Sequence, residues 1–292
     1  MPPALPRALA IAILALSATA GAAPLPPPGL HGAHAWSEQA AGGVRGLTIG
    51  PIESLRHPGK GYGSAAYART LDECVEMGAT WISLTPFGRT WDLHPTGVDL
   101  VFEAPFEENR ANLRRAIVMA KARGLRVLVV PHLWVESHEW RALIDPGDDA
   151  AWARWAASYE RFLLTWAETA RDGGADMLSV GVELRSWVTT PRAALFLPII
   201  ARVRAVFPGL LTYSANWDDA ADTAILQAID VIGINAFYPL AREKDVPLSV
   251  LLERGRSIAG ELEALAAEHR KPILLTEVNY KTMASPAVEP WV

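Results

Sequence analysis

The chain has 292 residues, 50% of them hydrophobic and 20% charged, with a formal net charge of −5. That is ordinary globular composition, and the length suits one large α/β domain. The acidic balance gives no basic footprint, which excludes nucleic acid as the partner. Tryptophan is the notable residue: there are 11, more than the 6 Tyr or the 7 Phe. Indole rings suit flat apolar ligand faces, sugar rings among them, although ordinary core packing accounts for part of the set.

Taken in chain order, residues 1–22 read as a secretory signal peptide. "MPPALPR" carries one positive charge, "ALAIAILALSATA" is an apolar run, and small residues close at Ala22. The run is too short and wrongly flanked for a membrane span. No cysteine follows, so no lipid anchor is expected. Residues 23–43 begin with "APLPPPG" and read as a stiff proline-rich linker. The expected location is secreted or periplasmic. Cys74 is the single cysteine, so an exported chain has no internal disulfide and its core must be self-sufficient. Within "TLDECVEMG" it is expected to be a buried helix residue.

From residue 44 to 292 strands and helices alternate. Strands are expected at 44–50, 79–87, 125–134, 175–184, 210–217, 231–239 and 272–280. Helices are expected at 64–78, 106–124, 148–174, 191–207 and 247–270, with a short one at 219–229. Glycines follow several helices, as left-handed caps require. The strands are apolar and β-branched, fit for burial on both faces of a parallel sheet. Two architectures fit, a doubly wound sheet and a (β/α)8-type barrel. "GPIESLRHPGKGYG" (50–63) holds neither phosphate-loop spacing. Polar and aromatic residues instead collect at strand C-termini: His132 and Trp134, Glu183, Asn216 and Trp217, Asn235 and Tyr238, Glu277 and Tyr280. A barrel builds its site from those ends, so the barrel is the expected fold. It lacks an eighth strand: after Tyr280 only "KTMASPAVEPWV" remains, too short for another helix and strand. The N-terminal stretch is not expected to supply it, and an open barrel leaves two strand edges exposed.

Glu183 ends the fourth strand in "SVGVELRSW" and Glu277 the seventh in "PILLTEVNY". Those ends face each other across a barrel mouth. Paired carboxylates there point to glycoside hydrolysis, one holding a proton for the leaving oxygen and the other staying ionised. A separation of about 5–5.5 Å means retention, and about 6.5–9.5 Å inversion.

The set "PHLWVESHEW", "DMLSVGVELRSW", "LLTYSANWD", "DVIGINAFYPL" and "PILLTEVNY" resembles glycoside hydrolase family 113, within the clan of retaining (β/α)8 glycosidases. The resemblance spans roughly 44–290, and "TYSANWD" with "GINAFYPL" is its most specific part. It implies an endo-acting β-mannanase-like enzyme on β-1,4-linked mannosides, a monomer without cofactor or metal. It implies Glu183 as general acid/base and Glu277 as nucleophile, with Tyr238 hydrogen-bonded to the nucleophile. His132, Trp134, Asn216, Trp217, Asn235 and Tyr238 become candidate substrate contacts. Val182 stands where many clan members carry Asn before the acid/base, so a contact to the sugar 2-hydroxyl would come from elsewhere, such as Asn216.

Other residues divide by position. Trp187 lies just past a strand end and is a further stacking candidate; Trp91 and Trp140 lie on rim loops. Trp152, Trp155 and Trp166 ride the long helix as packing residues, and Trp81 lies mid-strand in the core. Arg185 is expected to pair with a nearby acid. Two rival functions are a metal-dependent hydrolase and a non-catalytic carbohydrate-binding barrel. The histidines (31, 34, 57, 94, 132, 138 and 269) lack ligand spacing outside "HGAH" in the linker, which disfavours the first. Val182 and the missing strand favour the second, and the glutamate pair opposes it.

Overall fold

The computed structural model describes residues 43–50, 54, 56–283 and 286–291. The expected signal peptide and, Gly43 apart, the expected linker lie outside the described residues. Seven parallel strands form one sheet: β1 (Gly46–Ile49), β2 (Trp81–Leu84), β4 (Arg126–Val129), β6 (Met177–Val182), β7 (Leu210–Asn216), β8 (Val231–Asn235) and β9 (Ile273–Glu277), in that order. The sheet curls into a half-barrel, and β1 and β9 are its edges. Helices α1 (Ala65–Glu76), α2 (Phe106–Lys121), α3 (Asp149–Gly173), α5 (Ala193–Val206) and α6 (Leu248–His269) alternate with the strands, and a short α4 (Arg185–Val188) comes after β6.

Local chemistry sets the helix ends. Ser64 accepts the Tyr67 N–H and Asp148 that of Ala151, each satisfying an orphan donor of a first turn. Gly174 closes α3 at φ 80°, where a Cβ would be strained. The helix expected at 219–229 is instead two 3-10 turns, Ala220–Asp222 and Leu226–Ala228, since Thr223 breaks the run with an extended backbone.

Two predicted strands are each two. The run 79–87 stops after β2, and Phe87–Thr90 forms β3; the run 125–134 stops after β4, and His132–Val135 forms β5. Pro86 and Pro131 stand at the breaks, where proline has no N–H for the ladder. β3 and β5 then pair in parallel as a separate ribbon at the mouth, Arg89 opposite Trp134.

Alternation divides the core. Val127, Val129, Leu178, Val180, Leu211, Tyr213, Ile232 and Ile234 face the helices in the large core. Trp81, Leu128, Val130, Met177, Val182, Leu210 and Val231 fill the smaller inner cluster. Trp152, Trp155 and Trp166 are buried on α3, as their helical spacing implied, and Cys74 is buried on α1. Cover fails at one edge: β8 is buried throughout, whereas every residue of β9 is only partly buried, and α6 buries just Ile258 and Leu265.

At the N-terminal ends of the strands, Asp230 is buried and accepts from the Leu211 N–H at 2.7 Å and from Arg204. Removing one partner of a buried pair strands the other charge. Asp230→Ala is expected to lower unfolding free energy by about 3–5 kcal/mol, read from the midpoint of a urea melt.

Candidate active site

The strands carrying the glutamates both lose register near their ends. In β6, Ser179 pairs Thr212 but Val182 pairs Ser214; in β9, Leu275 pairs Ile234 but Glu277 pairs Asn235. An extra residue re-aims the side chains beyond it. In β9 it puts Glu277 level with Asn235, which is itself level with Asn216. In β6 it turns Val182 into the inner cluster. Glu183 then leaves the strand at φ 50°, uncommon for a residue with a Cβ. Its N–H still donates to Ser214 O at 2.9 Å, and the next N–H, of Leu184, donates to the buried Tyr213 hydroxyl at 2.7 Å.

The Glu183 side chain is 8% exposed as a residue and is surrounded by N–H donors. Oε2 accepts from Trp140 Nε1 at 3.0 Å and from Arg141 Nη1 at 2.8 Å. Oε1 accepts from Asn235 Nδ2 at 3.0 Å, and Asn235 Oδ1 accepts in turn from Thr276 Oγ1 at 2.8 Å. Trp140 and Arg141 come from the turn after β5, where Arg141 Nε donates to Leu133 O at 3.3 Å. Desolvation lowers the Arg141 pKa, and Glu183 and Glu277 oppose that shift.

Glu277 is pushed up to about 7, first by burial and then by the Glu183 charge, with Arg141 and the Asn235 amide pulling the other way. Burial and the neighbouring Glu183 charge thus favour the protonated form of Glu277. A nucleophile needs the opposite, a Glu277 that is ionised.

The shift has a stability consequence. Glu277 is raised from 4.5 to about 7, so between those values the folded chain holds a proton that the unfolded chain has lost. Stability from this group is complete below the lower value and falls as pH rises through the window, by about 3 kcal/mol in all. Glu277→Gln is expected to be the more stable protein at pH 8 and to lose that advantage at pH 4, measured by chemical denaturation.

The other predicted residues scatter. His132, on β5, has its imidazole pKa lowered to about 3 by burial, then by Arg141, and so is neutral beside the pair. Trp134 is 40% exposed on the ribbon, edge-on to Phe87 and Phe102, an accessible aromatic face. Asn216 is turned to Asp218, donating at 2.5 Å. Trp217 lies 5.4 Å from Tyr238 and stacks on Trp291 at 6.0 Å and 16°. Of the six candidate substrate contacts, Asn235 is the one that hydrogen-bonds the Glu183 carboxylate.

Two expectations are corrected. Tyr238 makes no hydrogen bond to Glu277; its phenol, pushed up to about 12 by burial and by Glu261, lies within the influence of Glu261 and Arg254 on α6. Trp187 is no stacking platform: it is 1% exposed, wedged against Trp152, Trp155, Tyr159 and Phe196. The short α4 turns its ring inward. Arg185 pairs with Asp218 and Asp219, as expected, and its guanidinium lies over the Trp140 ring. The residue missed outright is Arg141. Its signal was "HEWRALID", a Trp–Arg pair just past a strand end, but only the fold of the loop brings it to Glu183.

An open parallel barrel whose fourth and seventh sheet strands end on converging glutamates has the architecture of the barrel glycosidases. The family model described as Glycoside Hydrolase Family 113 matches residues 56–292, and the chain belongs to that family. Among solved structures it is similar to the GH113 β-mannanase AaManA from Alicyclobacillus acidocaldarius, with 24% identity, a TM-score of 0.72, and 85% of this chain and 75% of that one covered. A second similar structure, a GH113 β-1,4-mannanase complex, has 21% identity and a TM-score of 0.65 over 80% of this chain and 70% of that one. At such identity the likeness carries the fold. No curated protein matches the chain. Among the described residues no helix is long and apolar enough to cross a membrane.

Proposed function

We propose that this protein is a retaining, endo-acting β-1,4-mannanase-like hydrolase, with Glu183 as acid/base and Glu277 as nucleophile. The convergence of Glu183 and Glu277 on the Asn235 side of the mouth carries the reading. Glu277 would attack the anomeric carbon and Glu183 would protonate the departing oxygen; Glu183 would then activate water to release the covalent sugar. Trp134, 40% exposed on the ribbon, supplies an aromatic face suited to pyranose stacking. The oligosaccharide mannohexaose, incubated with residues 23–292 and resolved by chromatography, tests it: shorter sugars first released as the β-anomer support the mechanism. An intact hexaose beside folded protein refutes it.

The observation that favours a second reading, a carbohydrate-binding barrel without turnover, is the ring of donors around Glu183. Such a protein would bind the hexaose saturably and leave it uncut. The leader-like residues 1–22 support export, checked by finding Ala23 as the N-terminus of the protein recovered outside the cytoplasm.

A further inference from the structure

A carboxyl group that protonates a glycosidic oxygen must first hold a proton and present it outward. Glu183 is built for the opposite state. Three N–H groups already point at its two oxygens, from Trp140, Arg141 and Asn235. A proton on Oε2 would face two donors, and a proton on Oε1 would face the Asn235 amide. On Oε2 the proton displaces a donor, and on either oxygen it turns charge-assisted bonds into weaker neutral ones. We propose that Arg141 is a positioning residue for the glutamate pair: with Trp140 it clamps Glu183 as a carboxylate, and the clamp opens when Glu183 takes up the proton it delivers to the leaving group. This rests on the hydrolase reading above.

The placement of the clamp supports this. Asn235 belongs to the buried β8 and is fixed by Thr276, so it cannot be the part that yields. Trp140 and Arg141 sit on a single 3-10 turn beyond the ribbon, where Trp140 is 37% exposed and Leu143 is 54% exposed. The charged and titratable groups around Glu183 are accounted for. Glu277 comes from β9 and Tyr213 from β7; Asp218 and Asp219 lie just past β7 and are held by Arg185; His132 on β5 is neutral. Arg141 is therefore the cation that ion-pairs with Glu183 itself, at 2.8 Å. With the clamp closed, Glu183 stays the charged neighbour that, with burial, raises the Glu277 pKa. Opening it removes the cation from Glu183 and so favours a proton there. A protonated Glu183 is ready to donate, and the loss of its charge lowers the Glu277 pKa, as an attacking carboxylate needs.

The test compares wild type with Arg141→Ala, Arg141→Lys and Trp140→Phe in two measurements. The first is the pH profile of kcat/KM on mannohexaose; the second is the carboxylic-acid band in infrared difference spectra, assigned by its loss in Glu277→Gln. Losing an opposite charge raises a carboxyl pKa by about one unit or more. Arg141→Ala is expected to move both limbs of the profile and the infrared titration upward by that amount. Arg141→Lys restores most of the shift, and Trp140→Phe, which loses only an N–H at a half-exposed ring, moves it less in the same direction. Arg141→Ala profiles and titrations that superimpose on wild type overturn the clamp, even if kcat falls, because a residue that only supports folding would not move them. If the wild type cleaves nothing while the infrared titration still shifts, the hydrolase reading fails and the control of the glutamate pair's charge by Arg141 stands. Should Arg141→Ala not fold, Trp140→Phe and Arg141→Lys decide alone: titrations at the wild-type position in both overturn the clamp.

Discussion

Glu277→Ala is expected to lower kcat on mannohexaose by on the order of 10⁴-fold or more, because the proposed mechanism forms its covalent sugar on that carboxylate. Glu183→Ala should cost about 10²–10⁴-fold with a poor leaving group, the range for losing general acid–base help. The two losses differ in kind, and added azide separates them. With a nitrophenyl mannoside, azide in Glu183→Ala would intercept the glycosyl-enzyme and give the β-azide. In Glu277→Ala it would fill the space of the missing carboxylate and give the inverted α-azide. Exchanged outcomes would mean that Glu183 is the nucleophile and Glu277 the acid. The geometry makes that a sharp question, since Glu183 is the better-stabilised anion and Glu277 the group pushed up to about 7.

Trp187→Ala is expected to destabilise the protein by about 3–5 kcal/mol, as for other large aromatic deletions in cores. The ring is 1% exposed, its centroid is 4.6 Å from that of Phe196, and its Nε1 donates to Arg192 O at 3.1 Å. Truncation empties the junction of α3, α4 and α5 and orphans that carbonyl. Urea melts read the loss directly. Binding of mannohexaose at a temperature where the variant stays folded should be unchanged, which a sugar-stacking Trp187 would contradict. Trp134→Ala should do the reverse, weakening sugar binding with little effect on the melt.

The reach of sequence pattern is visible in these residues. Trp187 and Trp217 both stand just past a strand end, so sequence position treats them alike. The turn of α4 buries one, while the other stays partly open beside Tyr238. Tyr238 carries the family motif, yet its phenol turns toward α6 rather than Glu277. Asn235 was legible as a polar strand end, but its place between the glutamates depends on a register break in β9. Hydrophobic alternation cannot reveal such a break, since one extra residue exchanges the faces.

Local chemistry along the chain determined the alternation of strands and long helices, the glycine-closed helices, the acids at strand ends and the seven strands of the main sheet, because period and capping act over a few residues. Proline at 86 and 131 was equally visible, though the ribbon it produces, pairing residues 45 apart, was not. What only the tertiary structure decided is the charge state of the site. Arg141 lies 42 residues from Glu183 and Asn235 lies 52 away, and both reach it through side chains from different strands and turns. Electrostatic energy depends on distance in space and on burial. Neither is written in the spacing of residues along the chain.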